Sequence, residues 1–403
     1  VSKPKVFEKP SGVKDYLPGA VSRLRKIEDS VLTCMDQWGY RRIMTPTVEY
    51  YDTVGVMSAT SDKKLFKLLD NRGTTLVLRS DMTAPIARVV ASLLKEEPLP
   101  IRLAYHANVF RAIEEEAGRE AEFYQTGVEL VGDASADADA EVIALAVASL
   151  QAAGVSHFKL ALGHQGLLNG LLEELLAGKT AEQDQLKECL LARDYVGYRR
   201  RIRGMDVSTD VREKLEGILE LRGGKEVCAK VAAYTQDVST RAAIDHLCQI
   251  WEALTAYGVS DVMTIDLTMI GNFSYYTGMI FEAYSAELGF PVASGGRYDN
   301  LLQQFGRPAP ATGFALKTTR ILDILGPYET IGTRVLILYT AERRAEALAQ
   351  AAELRSGGDK TVVTQRLDAS DATTTADSAQ PWHELGFDEI YTWTTDSDEG
   401  SAR

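Results

Sequence analysis

Apolar residues at Val21, Leu24, Ile27, Val31, Leu32, Met35 and Trp38 recur with the 3.6-residue period of a helix that buries one stripe, and Gly39 stands where such a helix would end. A strand is expected over 40–44, stopped by Pro46, and a second helix over about 82–95, with Pro85 in its first turn and Pro98 and Pro100 beyond its end. The stretches 101–110 and 122–131 alternate as half-buried antiparallel strands do, and the acidic segment 113–119 joins them into a long hairpin. A helix over 141–153 and a strand over 158–162 follow. The Leu-, Lys- and Glu-rich region up to about residue 257 then reads as wholly helical, an inserted subdomain over 170–257.

Strand character returns over 262–267, over 275–286 and around Val292, before a Gly295-Gly296 turn and a helix over about 298–305. A strand-to-helix step spans 312–325. Past Gly326-Pro327 the pattern becomes strand 335–339, helix 341–354 and strand 360–365, a small α/β unit that divides the chain into 1–325 and 326–403. The Asp-, Ser-, Thr- and Ala-rich segment 368–380 reads as a loop, and 395–403 as a frayed tail.

At 403 residues the chain exceeds what one hydrophobic core usually fills, and 45% hydrophobic with 25% charged residues is the balance of a folded globular protein. The 44 Lys and Arg against 57 Asp and Glu leave a formal charge of −13, which opposes non-specific attraction to phosphate backbones or anionic lipid, so nucleic acid is a disfavoured partner. The four cysteines (Cys34, Cys189, Cys228, Cys248) are widely spaced and form no zinc-type pair, so reduced buried thiols and no metal are expected. With no apolar targeting segment at the N-terminus and no run long enough to span a bilayer, the chain reads as cytoplasmic.

In FYQTGVELVG a period of two puts Gln125, Gly127 and Glu129 on one face, with Tyr124, Thr126 and Val128 on the other. An amide and a carboxylate pointing the same way across a glycine suit a small ligand rich in hydrogen-bond donors, although a single hairpin could present such a face to solvent by accident. SYYTGMIFEAY repeats the arrangement if it is a strand throughout, with Tyr276, Gly278, Ile280 and Glu282 on one face and Tyr275, Thr277, Met279 and Phe281 on the other. GGRYDN would let backbone approach a ligand, with Arg297 and Tyr298 projecting from the helix start behind it. Arg79, Arg111, Arg119 and Arg320 would make an anion site only if several converged. His106 and His164 belong to no triad or metal set and read as structural.

Taken in order, these segments resemble the core of class II aminoacyl-tRNA synthetases, in particular the histidyl branch, over about residues 7–325. SGVKDYLP resembles that branch's opening, GYRRIMTP its motif 1 with Pro46, VFRAIEEEAGREAEFYQTGVELVG its motif 2, and GFALKTTR its motif 3 with Arg320. SYYTGMIFEAY and ASGGRYDNLL resemble the two histidine-recognition signatures. The resemblance implies an α+β fold: an antiparallel sheet flanked by helices, a helical insertion, and a C-terminal α/β domain like a shortened anticodon-binding domain. It also implies a histidine pocket in which Asp81 and Thr83 face the α-amino group, and Gln125, Glu129, Tyr275, Tyr276 and Tyr298 surround amino group and imidazole. Arg111 would face the carboxylate, Arg119 and Arg320 are possible remnants of phosphate contacts, and motif 1 implies a homodimer.

The activation machinery departs from that pattern. Ile113 replaces the motif 2 glutamate that meets adenine, and Gly271 replaces an arginine of the phosphate region. Lys317 replaces a glycine beside the nucleotide, and Thr319 an acid before the motif 3 arginine. A cation at developing charge is typically worth several kcal/mol, so adenylate formation should be nearly silent. After Gly326 fourteen acidic residues face seven basic ones, a poor balance for binding tRNA. A histidine pocket without activation is similar to the regulatory subunits of ATP phosphoribosyltransferase. That resemblance implies no catalysis and no cofactor, a short-form catalytic subunit as partner, and histidine as feedback effector. The alternatives are an active histidyl-tRNA synthetase and a synthetase-like histidine sensor serving another partner.

Overall fold

The computed structural model describes residues 7–58, 60–112, 120–271, 275–328, 332–367, 386–394 and 401–402. The chain divides into two compact units, Val1–Tyr328 and Glu329–Arg403. In the first, helix α1 (Pro18–Gln37) opens on a proline and buries Leu24, Ile27, Val31, Leu32 and Met35, the expected stripe, and Gly39 beyond it takes a φ of 83°. Strand β1 (Arg41–Arg42) is shorter than the expected 40–44. A separate three-stranded sheet comprises β2 (Val48–Tyr50), β3 (Lys67–Leu69) and β4 (Thr75–Leu78), with β4 central. Helix α2 (Thr83–Ser92) has Pro85 in its first turn and ends three residues before the expected limit. Strands β5 (Ile101–Phe110) and β6 (Glu122–Val131) form the expected hairpin, while its acidic connection 113–119 lies outside the described residues.

Helix α3 (Ala136–Ala152) starts five residues early because Ser135 caps it, its Oγ accepting from the Ala138 N–H at 3.2 Å. After β7 (Phe158–His164) come the helices of the insertion: α4 (Gln165–Leu175), α5 (Thr180–Leu191), α6 (Tyr195–Gly204), α7 (Thr209–Gly217), α8 (Glu226–Ala232) and α9 (Val238–Ala256). The insertion is not wholly helical: β8 (Arg222–Gly223) pairs antiparallel with β9 (Met263–Asp266), two residues being too few to show a period.

The chain then forms β10 (Met279–Ser285), β11 (Pro291–Arg297), α10 (Leu301–Gln304), β12 (Ala311–Lys317) and α11 (Thr318–Leu325). Two expectations fail here. Tyr275 and Tyr276 precede β10 instead of alternating along it, and Gly295-Gly296 lie inside β11 instead of forming a turn. The glycines are needed for space: a Cβ at Gly295 would run into Phe281, Phe314 and the Gly313 carbonyl, and neither residue has a positive φ. The helix expected over 298–305 is accordingly a single turn.

Among the described residues nine strands form one sheet in the order β1-β5-β6-β12-β11-β10-β7-β9-β8, antiparallel except for the parallel pairs β1·β5 and β7·β9. The expected antiparallel sheet is thus mixed at both margins. Alternate residues of the β5–β6 hairpin serve two cores: Ala104, Val128 and Leu130 join α1, α3 and the insertion, whereas Leu103, Tyr105, Ala107 and Val131 join α2 and Tyr298. The second unit has β13 (Thr333–Tyr339), α12 (Arg344–Ser356), β14 (Lys360–Arg366), β15 (Glu389–Trp393) and β16 (Ser401–Ala402) in the sheet order β14-β13-β15-β16. Residues 401–402 pair with Tyr391 and Thr392 where a frayed tail was expected, and the expected loop 368–380 lies outside the described residues.

Candidate functional site

The smaller core leaves a polar centre on the face of the hairpin that carries Gln125 and Glu129. Glu129 is 2% exposed, and its register partners are Leu103 on β5 and Gly313 on β12. A Cβ at Gly313 would overlap the Glu129 carboxylate, so this glycine makes the room that the carboxylate occupies. The Thr83 hydroxyl, at the start of α2, donates to Glu129 Oε1 at 2.8 Å, and the Tyr298 hydroxyl donates to Oε2. Burial pushes the Glu129 carboxyl up to about 8, helped by the nearby Asp81 charge and opposed by the two hydroxyl donors. Such a group favours a cation or a strong donor as its next partner.

The two tyrosines before β10 enclose this centre. The Tyr275 ring lies 5.1 Å from that of Tyr276 at 77° and 5.6 Å from that of Tyr298 at 59°. Tyr276 also packs where a Cβ at Gly296 would stand. The segment is held from both sides: the Thr277 N–H donates to the Arg297 carbonyl at 2.8 Å, and the Gly278 carbonyl accepts from the Gln165 N–H at 2.8 Å. Sequence periodicity missed this loop and placed Tyr275 and Tyr276 on opposite faces, whereas the loop brings the two rings together.

Asp81 is buried. Its Oδ1 accepts from the Ala84 N–H at 3.1 Å, which anchors the first turn of α2, and its Oδ2 accepts from the Ser58 hydroxyl at 2.7 Å. Arg111 donates through Nε to the Ser80 carbonyl at 2.9 Å, and its guanidinium lies 5.3 Å from the Phe123 ring centre. Gln125 is buried between Ala107 and Lys317 in the sheet register. Asp81, Thr83, Glu129, Tyr275, Tyr276 and Tyr298 thus come together around one centre, with Arg111 and Gln125 on the same hairpin.

Arg320 donates to the Pro291 carbonyl at 2.7 Å and lies over the Phe290 ring, where its charge acts with that of Arg111 on Lys317, the register partner of Gln125. Two other expected arginines, Arg79 and Arg297, stand elsewhere. Arg79 holds the Thr45 and Asn108 carbonyls, which ties the 45–46 segment to β5. Arg119 and Ile113 lie outside the described residues. Arg297, expected to project from a helix start, is instead buried at the end of β11 against Asp139, with Nη2 2.9 Å from Oδ1. His164 is structural, its Nδ1 accepting from the Leu167 N–H at 3.1 Å to cap α4.

Sequence reasoning missed Tyr105. Its hydroxyl stands above Gly127, its register partner across the hairpin, and fills the space expected to be open for ligand. A large aromatic opposite a glycine at matched register was the available signal. Lys317, the departure at motif 3, ends β12 beside Gln125. Burial, with the Arg320 and Arg111 charges, lowers its ammonium to about 7, so it puts a poorly solvated amine where a glycine would leave space.

Fold and site together are those of a class II aminoacyl-tRNA synthetase-like core with a polar, tyrosine-walled pocket. The profile of the family described as Histidyl-tRNA synthetase matches residues 12–321. ATP phosphoribosyltransferase regulatory subunits of Bacillus licheniformis and Bacillus subtilis are 47% and 45% identical over 358 residues, covering 89% of this chain and 91% of theirs. A crystal structure described as an ATP phosphoribosyltransferase regulatory subunit/histidyl-tRNA synthetase from Bacillus halodurans superimposes with a TM-score of 0.89 at 42% identity, covering 98% of this chain and 100% of that one. The chain belongs to the family of ATP phosphoribosyltransferase regulatory subunits, non-catalytic proteins built on the histidyl-tRNA synthetase fold. Among the described residues, no helix is long and apolar enough to cross a membrane.

Proposed function

We propose that the pocket around Glu129 binds free histidine as a feedback effector, and that the chain associates in the cytoplasm with a short-form ATP phosphoribosyltransferase catalytic subunit, which it activates. The observation that carries this reading is a buried carboxylate with two hydroxyl donors and three tyrosine rings around it. An ammonium or imidazole N–H entering there restores the partners that burial removed, and the rings cover its apolar edges. Lys317 and Gly271 argue against nucleotide activation at the same site, because one fills space and the other lacks a cation. Inhibition at a distance requires two quaternary states with different histidine affinity, a coupling commonly of about 1–3 kcal/mol.

A homodimer through the motif 1 region belongs to the same reading. Register puts Val48 and Tyr50 of β2 on one face with Leu78 and Leu76 of β4, and Leu68 of β3 opposite Leu76. Val48, Tyr50 and Leu68 are exposed, which supports an apolar face made for a second copy.

The test mixes the chain with a short-form catalytic subunit and follows phosphoribosyl-ATP formation, with each protein alone as control. Activity that rises in the mixture and falls with histidine supports the reading. Glu129→Gln should raise the histidine concentration for half-inhibition about tenfold or more while activation persists. Unchanged inhibition in that variant would remove the pocket assignment, and histidine-dependent ATP–pyrophosphate exchange by the chain alone would restore a synthetase.

A further inference from the structure

Helix α6 differs from the rest of this acidic chain. Tyr198 and Ile202, four residues apart, are its buried stripe, and Arg199, Arg200, Arg201 and Arg203 are all exposed. Positions 196, 199, 200 and 203 follow the i, i+3, i+4, i+7 spacing of one helix face, so Val196 and three arginines form a continuous outward stripe. None of the four arginines makes an ion pair with a carboxylate among the described residues, and only Arg201 has a side-chain partner, Gln185 at 2.7 Å. No acidic residue occurs between Tyr195 and Gly204, although the whole chain carries −13. Val196 is 70% exposed and Leu191, at the end of α5, 52%.

The corner that carries this stripe is tied to the sheet. Arg193, between α5 and α6, has a φ of 56°, a left-handed conformation uncommon for a non-glycine residue. From there its guanidinium reaches Glu282 on β10 at 3.3 Å and lies 5.3 Å from the Tyr284 ring centre. Glu282 lines a shallow cavity with Gly271, Tyr276 and Ser294, beside the wall of the proposed histidine pocket.

We infer that the α6 stripe is a docking surface for an acidic protein face, and that its occupant is the catalytic subunit of the preceding reading, on which this inference rests. The argument is charge and chemistry. A chain of formal charge −13 meets an acidic face of a partner favourably only where it presents a local patch of opposite sign, and unpaired exposed arginines flanking apolar side chains are the composition of a protein interface. A nucleic acid would meet the same arginines, but its phosphate backbone would leave the exposed Val196 and Leu191 without an apolar partner.

Association of the full chain with the catalytic subunit is measured by surface plasmon resonance across a salt series, for wild type and for the variant Arg199→Glu/Arg200→Glu/Arg203→Glu. Wild-type affinity should fall with salt, and the variant should bind about tenfold or more weakly with a flatter salt dependence. Histidine binding to the chain alone should be unchanged, which checks that the variant folds. Arg199→Lys/Arg200→Lys/Arg203→Lys keeps the charge and should stay within about threefold of wild type. Wild-type affinity in the glutamate variant would overturn the inference, as would loss of binding to a mixed tRNA probe with subunit association intact. If the wild-type chain itself fails to associate, the regulatory reading fails first and the docking surface with it.

Discussion

Glu129 is the residue on which the chemistry turns, and its burial has two measurable consequences. With its carboxyl pushed up to about 8, the empty pocket holds a proton near neutral pH, and a cationic ligand should displace it. Calorimetric titration with histidine at pH 7 in buffers of different ionisation enthalpy should therefore report net proton release that Glu129→Gln abolishes. Heats independent of the buffer would contradict the protonated state. The second consequence concerns stability. A carboxyl raised in the folded state contributes stability that is fully present below its unfolded value near 4.5 and is lost as pH rises through about 8. Glu129→Gln should accordingly raise the melting temperature of the ligand-free chain more at pH 8 than at pH 5, a gain in stability where binding is lost.

At the scale of elements, legibility followed periodicity. The hairpin β5–β6 was readable to the residue because both strands alternate between two cores, and that same alternation put Gln125 and Glu129 on one face. The Tyr275–Gly278 segment was not, because its hydrogen bonds go to Arg297 and Gln165, residues distant in sequence. Arg297 was likewise misread as a projecting side chain, since nothing local announces its partner Asp139 on α3. The pair is almost fully buried, and Arg297 also holds the Asp133 and Ser135 carbonyls. Arg297→Leu should cost about 3–5 kcal/mol in denaturant unfolding, because it removes the guanidinium from a buried carboxylate and leaves it the His246 ring at 3.5 Å. Arg297→Leu/Asp139→Leu should recover a substantial part of that loss. A double variant as unstable as the single one would mean that the carbonyl contacts of Arg297, and not its charge, hold α3 to β11.

At the scale of the whole molecule, charge opposes every association that lacks a compensating surface, and the two proposed surfaces compensate in opposite ways. The β2–β4–β3 face is apolar, with Val48, Tyr50 and Leu68 exposed. Two copies meeting there bring together two bodies of formal charge −13, so salt screens a repulsion and leaves the apolar attraction intact. The α6 stripe draws on attraction to an acidic partner, which salt weakens. Sedimentation equilibrium of the chain alone from about 0.05 to 0.5 M salt should therefore give a dimer that holds or tightens, while the complex with the catalytic subunit loosens over the same range. Tyr50→Asp should dissociate the dimer without changing the salt slope of the subunit association. A dimer that weakens with salt in parallel with the complex would mean that both contacts draw on the same arginines and that the apolar face is covered by something other than a second copy.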